Sequence, residues 1–166
     1  MFDELTEIDI KKMQEEIEYR KSLREALSED VRIAKSDGDL SENAGYHDAK
    51  RDKNKNEGRI NYLKKMIETA TIITTNPDKD SIGIFDKVDV FFEDEQETET
   101  ITLSTATRID VARKIINKDS PLGKAIYGHK VGDRIFVNVS DDCQYYVVIK
   151  KIVKGEDDSS VPLNKY

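Results

Sequence analysis

No proline interrupts the chain before Pro77, and glycine occurs in that span only at Gly38, Gly45 and Gly58. A stretch so poor in helix breakers, and so rich in Glu, Lys, Leu and Ile, is suited to long helices. At 71–80 the run Thr-Ile-Ile-Thr-Thr-Asn-Pro-Asp-Lys-Asp gathers turn formers, and beyond it β-branched and aromatic residues take over. The chain therefore reads as an α+β protein in two halves: a helical domain over 1–75, a strand-rich domain over 76–154, and a polar tail over 155–166 that is expected to fray.

In the first half Met13, Ile17, Leu27, Val31 and Ala34 fall on heptad positions, with Arg20 and Arg24 in the two slots between Ile17 and Leu27. The returning segment carries Ala49, Lys53, Asn56, Ile60, Leu63, Ile67 and Ala70 at alternating steps of 4 and 3. Two apolar seams joined by the short link Asp37–Asn43 require an antiparallel hairpin, each arm roughly 40 Å long at about 1.5 Å per residue. The link becomes the tip of a narrow finger.

The second half alternates as strands do. Ile84, Val88, Val90 and Phe92 mark one over 83–92, Ile135, Val137 and Val139 another over 134–139, and 145–152 is more continuously apolar. Between them Ser120-Pro121-Leu122-Gly123-Lys124-Ala125-Ile126-Tyr127-Gly128 predicts a short helix, with Ser120 as N-cap, Pro121 at the first helical position and Gly128 just past the end. The acidic run 93–99 reads as a solvated hairpin loop.

Composition narrows the chemistry. The 166 residues hold 27 Lys and Arg against 34 Asp and Glu, a net charge of −7, which argues against bulk attachment to nucleic acid or anionic membrane. No apolar run approaches the ~20 residues that span a bilayer, and the acidic start lacks the features of a signal peptide, so no membrane contact and a cytoplasmic location are expected. One Cys (Cys143) and two His (His47, His129) cannot form an intrachain disulfide or a Cys/His zinc site. Chemistry here has to run on carboxylates, hydroxyls or a borrowed active site.

Three carboxylates, Asp37, Asp39 and Glu42, crowd the tip. Asp39 and Glu42 have capping-box spacing, so Ser41 or Asp39 could simply cap the second helix. The same pair offers hard oxygen ligands to Mg²⁺, although two carboxylates leave most of its six positions for another molecule to fill.

The run Asp37-Gly38-Asp39-Leu40-Ser41-Glu42-Asn43-Ala44-Gly45-Tyr46-His47-Asp48-Ala49-Lys50 resembles the signature of the GreA/GreB family of bacterial transcript cleavage factors. Ser120-Pro121-Leu122-Gly123-Lys124-Ala125 and Gly128-His129-Lys130-Val131-Gly132-Asp133 resemble that family's C-terminal segment. The resemblance implies an N-terminal antiparallel coiled coil followed by an FKBP-like antiparallel sheet domain with a short helix. It also implies docking on bacterial RNA polymerase, entry of the finger into the secondary channel, and stimulation of Mg²⁺-dependent hydrolysis of backtracked RNA near its 3′ end.

By the same resemblance Asp39 and Glu42 are the acidic pair that helps hold a Mg²⁺ shared with the polymerase, so the chain is no enzyme on its own. Lys50 and Arg51 open a stretch, 50–65, with seven cations against two acids; it resembles the family's contact to the RNA 3′ segment. The remaining cations of that stretch read as a solvated face. Asp119, Ser120 and Pro121 match the polymerase-contact segment, and Asn43 and Tyr46 support the tip through capping and packing rather than chemistry. A monomer is expected. A channel-binding regulator without cleavage activity is the alternative, although the intact Asp39/Glu42 spacing speaks against it. A prolyl isomerase would want more aromatic residues than 7%. The segment Ile101–Thr107 departs from the family pattern, which leaves the details of the sheet open.

Overall fold

The computed structural model describes residues 4–36, 38, 42–75 and 78–164. They form two compact units, one of Ile10–Ala70 and one of Glu4–Asp9 with the chain from Thr71 onward.

The first unit is a helical hairpin. Helices α1 (Glu7–Ser22) and α2 (Arg24–Ser36) form the outgoing arm, and the 26-residue α3 (Ala44–Thr69) returns. Its seam is made by Met13 and Ile17 with Ile60, Leu63 and Met66, all buried. Met66 takes the place expected for Ile67, which is half-buried. Farther out Leu27, Val31 and Ala34 are only half-buried, and α2 has no fully buried residue.

A single outgoing helix was expected; the structure breaks it at Leu23. The break falls between the two arginines of the seam, whose guanidinium groups find carboxylates rather than apolar neighbours. Arg20 Nε reaches Glu16 at 2.7 Å, and Arg24 grips both oxygens of Glu57 on α3 at 2.7 Å. Arg59 of α3 holds Glu16 from across the hairpin at 3.0 and 3.1 Å. Burial pushes the Glu16 carboxyl upward, but its hydrogen bonds to Arg59 and Arg20 outweigh that and hold it below its ordinary value.

The second unit begins where both ends of the hairpin meet: strand β1 (Glu4–Leu5) pairs in parallel with β2 (Thr71–Ile72). A five-stranded sheet follows from β3 (Lys87–Phe92), β4 (Glu97–Ser104), β5 (Ile115–Asn117), β6 (Arg134–Ser140) and β7 (Cys143–Val153), in the order β5-β4-β3-β7-β6. The short helix α4 (Pro121–Ile126) buries Ile126 against Val88, Val90, Ile101, Leu103, Ile135, Val137, Val147 and Ile149.

The sheet is mixed, not antiparallel throughout. β4 and β5 run parallel, with Thr102 opposite Ile115, because the linker 105–114 carries the chain back before it re-enters the sheet. The first long strand is also shorter than 83–92. Its opening residues turn instead: Phe85 has φ 67, and the buried Asp86 accepts the Gly83 N–H at 2.7 Å and the Gly155 N–H at 3.1 Å.

Far from fraying, the tail packs. Val161 is buried, Asn164 N–H donates to the Thr107 carbonyl at 2.8 Å, and Asn164 Oδ1 accepts the Ile109 N–H at 3.2 Å. The anchor is Arg108, 1% exposed. It lies 2.5 Å from Asp9 Oδ1 and 2.5 Å from Asp157 Oδ1, and donates to the Asp158 carbonyl at 3.0 Å. Thr6 and Asp9 form a capping box at the start of α1, with Thr6 N–H donating to Asp9 Oδ2 at 2.9 Å and Asp9 N–H to Thr6 Oγ1 at 3.2 Å. Among the described residues no helix is long and apolar enough to cross a membrane.

Candidate functional sites at the hairpin tip and at helix 4

At the tip the last turn of α2 and the first of α3 are joined by one side chain. Asn43, with extended backbone at φ −85 and ψ 91, is the N-cap of α3: its Oδ1 accepts the Tyr46 N–H at 2.9 Å. Its Nδ2 donates to the Ala34 carbonyl of α2 at 2.6 Å. One amide thus satisfies an orphan donor and an orphan acceptor at two helix ends. Capping was expected here from Asn43 as well as from Ser41 or Asp39. Asn43 takes that role because its amide carries both a donor and an acceptor, as closing two helix ends at once requires.

Asp37, Asp39 and Ser41 lie outside the described residues. Glu42 is described: it sits in the turn just before the cap, is exposed, and makes no hydrogen bond or ion pair among the described residues. Gly38 has φ 131, a conformation that residues with a Cβ rarely adopt, so a glycine belongs there.

Behind the cap, Tyr46 is half-buried, packs edge-on to His47 at 5.5 Å between ring centroids, and carries the Lys50 ammonium 5.8 Å from its own. Lys50 is thereby held near the tip. Arg51 pairs with Asp48 at 2.8 Å, and with both groups well exposed the contact contributes little to stability. The basic stretch is not uniform beyond this point. Arg59 is 10% exposed and committed to Glu16, and Lys53 is half-buried on the seam.

As a metal ligand, Glu42 is a hard oxygen donor open to solvent. Among the described residues no three His, Cys, Asp or Glu side chains cluster to hold an ion.

In the second unit the segment before α4 is tightly built. Asn117 Oδ1 accepts the Asp119 N–H at 3.0 Å, and Ser120 Oγ accepts the Gly123 N–H at 3.1 Å as the N-cap, with Pro121 next. The Ser120 hydroxyl is therefore occupied by its own helix, and the groups left facing outward are the Asp119 carboxylate and the Pro121 ring. Gly123 is required here: a Cβ would come within 2.7 Å of the Lys118 carbonyl oxygen.

Sequence reasoning missed two neighbours. Lys118 pairs with Glu4 and, at 3.3 Å, with Asp119, and its ammonium lies 5.8 Å from the Tyr127 ring, itself 44% exposed. Burial lowers the Lys118 pKa, but the two carboxylates prevail and raise it. The only signal in the sequence was that Lys118 adjoins Asp119.

Residues 4–72 match the family described as "Transcription elongation factor, N-terminal", and residues 76–154 the one described as "Transcription elongation factor, GreA/GreB, C-term". Transcription elongation factor GreA of Clostridium acetobutylicum is 38% identical over 143 residues, covering 84% of this chain and 90% of that protein. Its counterpart from Caldanaerobacter subterraneus is 38% identical over 137 residues, 81% of this chain and 87% of that one. Among solved structures, GreA factor homolog 1 of Thermus thermophilus aligns with a TM-score of 0.41 at 20% identity, covering 93% of this chain and 100% of that chain.

Proposed function

The chain belongs to the GreA/GreB family of transcription elongation factors, and from that membership we propose that it binds bacterial RNA polymerase and stimulates cleavage of backtracked RNA. The finger enters the secondary channel, and the tip completes the polymerase's own hydrolytic centre near the RNA 3′ end. The chain supplies ligands and holds no complete active site of its own. One copy acts per channel.

The observation that carries this reading is Glu42: a solvent-facing carboxylate with no partner among the described residues, next to an asparagine that ties both helix ends together. The Glu42 carboxylate needs no partner broken before it meets a metal, and ordering its rotamers on binding costs about 0.5–1.5 kcal/mol. With Asp39 it would hold a Mg²⁺ that the polymerase mostly coordinates. In that site the ion supplies activation of water and neutralisation of the leaving oxygen. Lys50 and Arg51 hold the RNA phosphates by charge, while Asp119 and Pro121, backed by Lys118, meet the polymerase surface.

The test is RNA cleavage in a purified backtracked elongation complex, with and without the intact protein, over a range of Mg²⁺ concentrations. Combined Asp39→Ala and Glu42→Ala should abolish stimulation and leave binding intact; a double variant with full activity sinks the proposal. Binding without cleavage by the unaltered chain would point to the regulatory alternative.

A further inference from the structure

The face of the sheet that is turned away from α4 carries a cavity of about 380 Å³, within the size range of small-molecule sites. Its floor is one row across four strands: Ile115 stands opposite Thr102, Thr102 opposite Lys87, and Lys87 opposite Val153. Directly opposite residues share a face, and alternation along β4 brings Ser104 to the same one. Val88, Ile101 and Leu103, which α4 covers, lie on the other. The tail supplies a wall through Gly155, tied to Asp86, and the buried Val161, and Phe85, 6% exposed, adds a further apolar surface.

Polar groups inside it are unspent. Ser104 is 3% exposed, yet its hydroxyl makes no hydrogen bond among the described residues, and neither does that of Thr102. A hydroxyl buried without a partner costs free energy, which a bound polar group would restore. The charges of the lining are mixed in sign. Asp9 and Asp157 take up Arg108, Asp86 takes up Lys154, and Arg113 holds Asp158 at a loose 3.3 Å. Lys87 and Glu156 are left, both exposed, neither with an ion-pair partner among the described residues and not paired with each other.

We propose that this cavity binds a small zwitterion with an apolar side chain, a ligand of the α-amino acid class. A ligand of one sign would meet only one of the two free charges and leave the other facing it unmatched; a zwitterion meets both. Its carboxylate is drawn to Lys87, with Arg113 behind, and its ammonium to Glu156. Lys87 and Glu156 are long side chains held by no other group, so their heads are free to converge on one small molecule. The apolar side chain lies against Phe85, Ile115 and Val161, and a polar atom of the ligand satisfies Ser104.

Titrating the intact, isotope-labelled chain with leucine and following its amide chemical shifts tests this. Saturable shifts should gather at Thr102, Ser104, Gly155 and Val161. Isocaproate is leucine without its ammonium and isoamylamine is leucine without its carboxylate; each should bind at least about tenfold more weakly. Lys87→Gln and Glu156→Gln alter exposed side chains, so both variants should fold as the parent does by circular dichroism. Each should weaken leucine at least about tenfold, Lys87→Gln leaving isoamylamine unaffected and Glu156→Gln leaving isocaproate unaffected. No saturable shift, shifts gathered away from the cavity, either half-ligand binding as tightly as leucine, or leucine binding that ignores both substitutions overturns the proposal. None of these results bears on the tip, since cleavage is not measured.

Discussion

The side-chain amide of Asn56, in the middle of α3, donates to the backbone carbonyl of Arg20 on the opposing arm at 3.0 Å. Arg20 lies three residues before the break at Leu23, and its carbonyl otherwise receives the Leu23 N–H at a long 3.3 Å. Asn56 is 5% exposed, so a polar group sits in the apolar seam at the point where the opposite helix has a carbonyl to be satisfied. Its Oδ1 in turn accepts from the Arg20 guanidinium at 3.4 Å. Polar residues at seam positions set register in coiled coils, and this pair does so between unequal arms.

Asn56→Ala should therefore cost about 0.5–1.5 kcal/mol, the net worth of a hydrogen bond, because the Arg20 carbonyl keeps only the long bond from the Leu23 N–H. Denaturant unfolding of the intact chain measures it, and a loss within experimental error would show that water replaces the amide.

Removing Arg108 should be costlier. Arg108→Met leaves the fully buried Asp9 and the nearby Asp157 without their cation, and breaking such a pair from one side costs about 3–5 kcal/mol. Combining it with Asp9→Asn should cost less than the sum of the two single changes, because the second removes the charge that the first strands. Additive losses in a double-mutant cycle would rule out the coupling.

Gly155→Ala tests the tail. A Cβ there would overlap the Phe85 carbonyl oxygen, which the turn at Phe85 and Asp86 holds in place. A loss of about 1–3 kcal/mol in unfolding experiments is expected, as for overpacking elsewhere, together with faster amide exchange at Asn164.

Acid should loosen the hairpin through Glu16. Its carboxyl is held below the ordinary value in the folded chain, so the stability it lends is present above the unfolded pKa and drains away as pH falls through the lower, folded one. Glu16→Gln should flatten that part of the pH profile of unfolding and leave neighbouring titrations unchanged. An identical acid limb in the variant would assign the loss to other groups.

Asn43→Ala separates support from chemistry at the tip. Loss of the cap should cost about 0.5–2 kcal/mol and reduce cleavage stimulation in a backtracked complex while docking persists. Equal loss of docking and cleavage would mean that the tip also governs attachment.

Much of the fold was legible because its signals are local. The 3-4 spacing of Ile60 and Leu63, the alternation of Ile135 and Val137, and the Ser120-Pro121 start of α4 each act within a few residues, and each appears where expected. The exchange of Ile67 for Met66 came from a seam too regular to reveal which of two adjacent apolar residues turns inward. Asn43 was read as a support of the tip through capping, beside a capping box that offered Ser41 or Asp39, since all three are good capping residues and spacing does not choose among them.

By itself, the order of residues determined that a helical hairpin precedes a sheet, that acids stand at the hairpin's turn, and that Ser120 starts a helix, for these depend on backbone preference and short-range periodicity. The tertiary structure decided what needed distant partners. The break at Leu23 is met by an amide 36 residues away from Arg20, the parallel β4–β5 pair depends on where a linker lands, and the buried Arg108 finds its counter-charges because Asp9 and Asp157 arrive from opposite ends of the chain. Burying a charge or a carbonyl is tolerable only when a partner is already in place, and which residue that is depends on the folded arrangement.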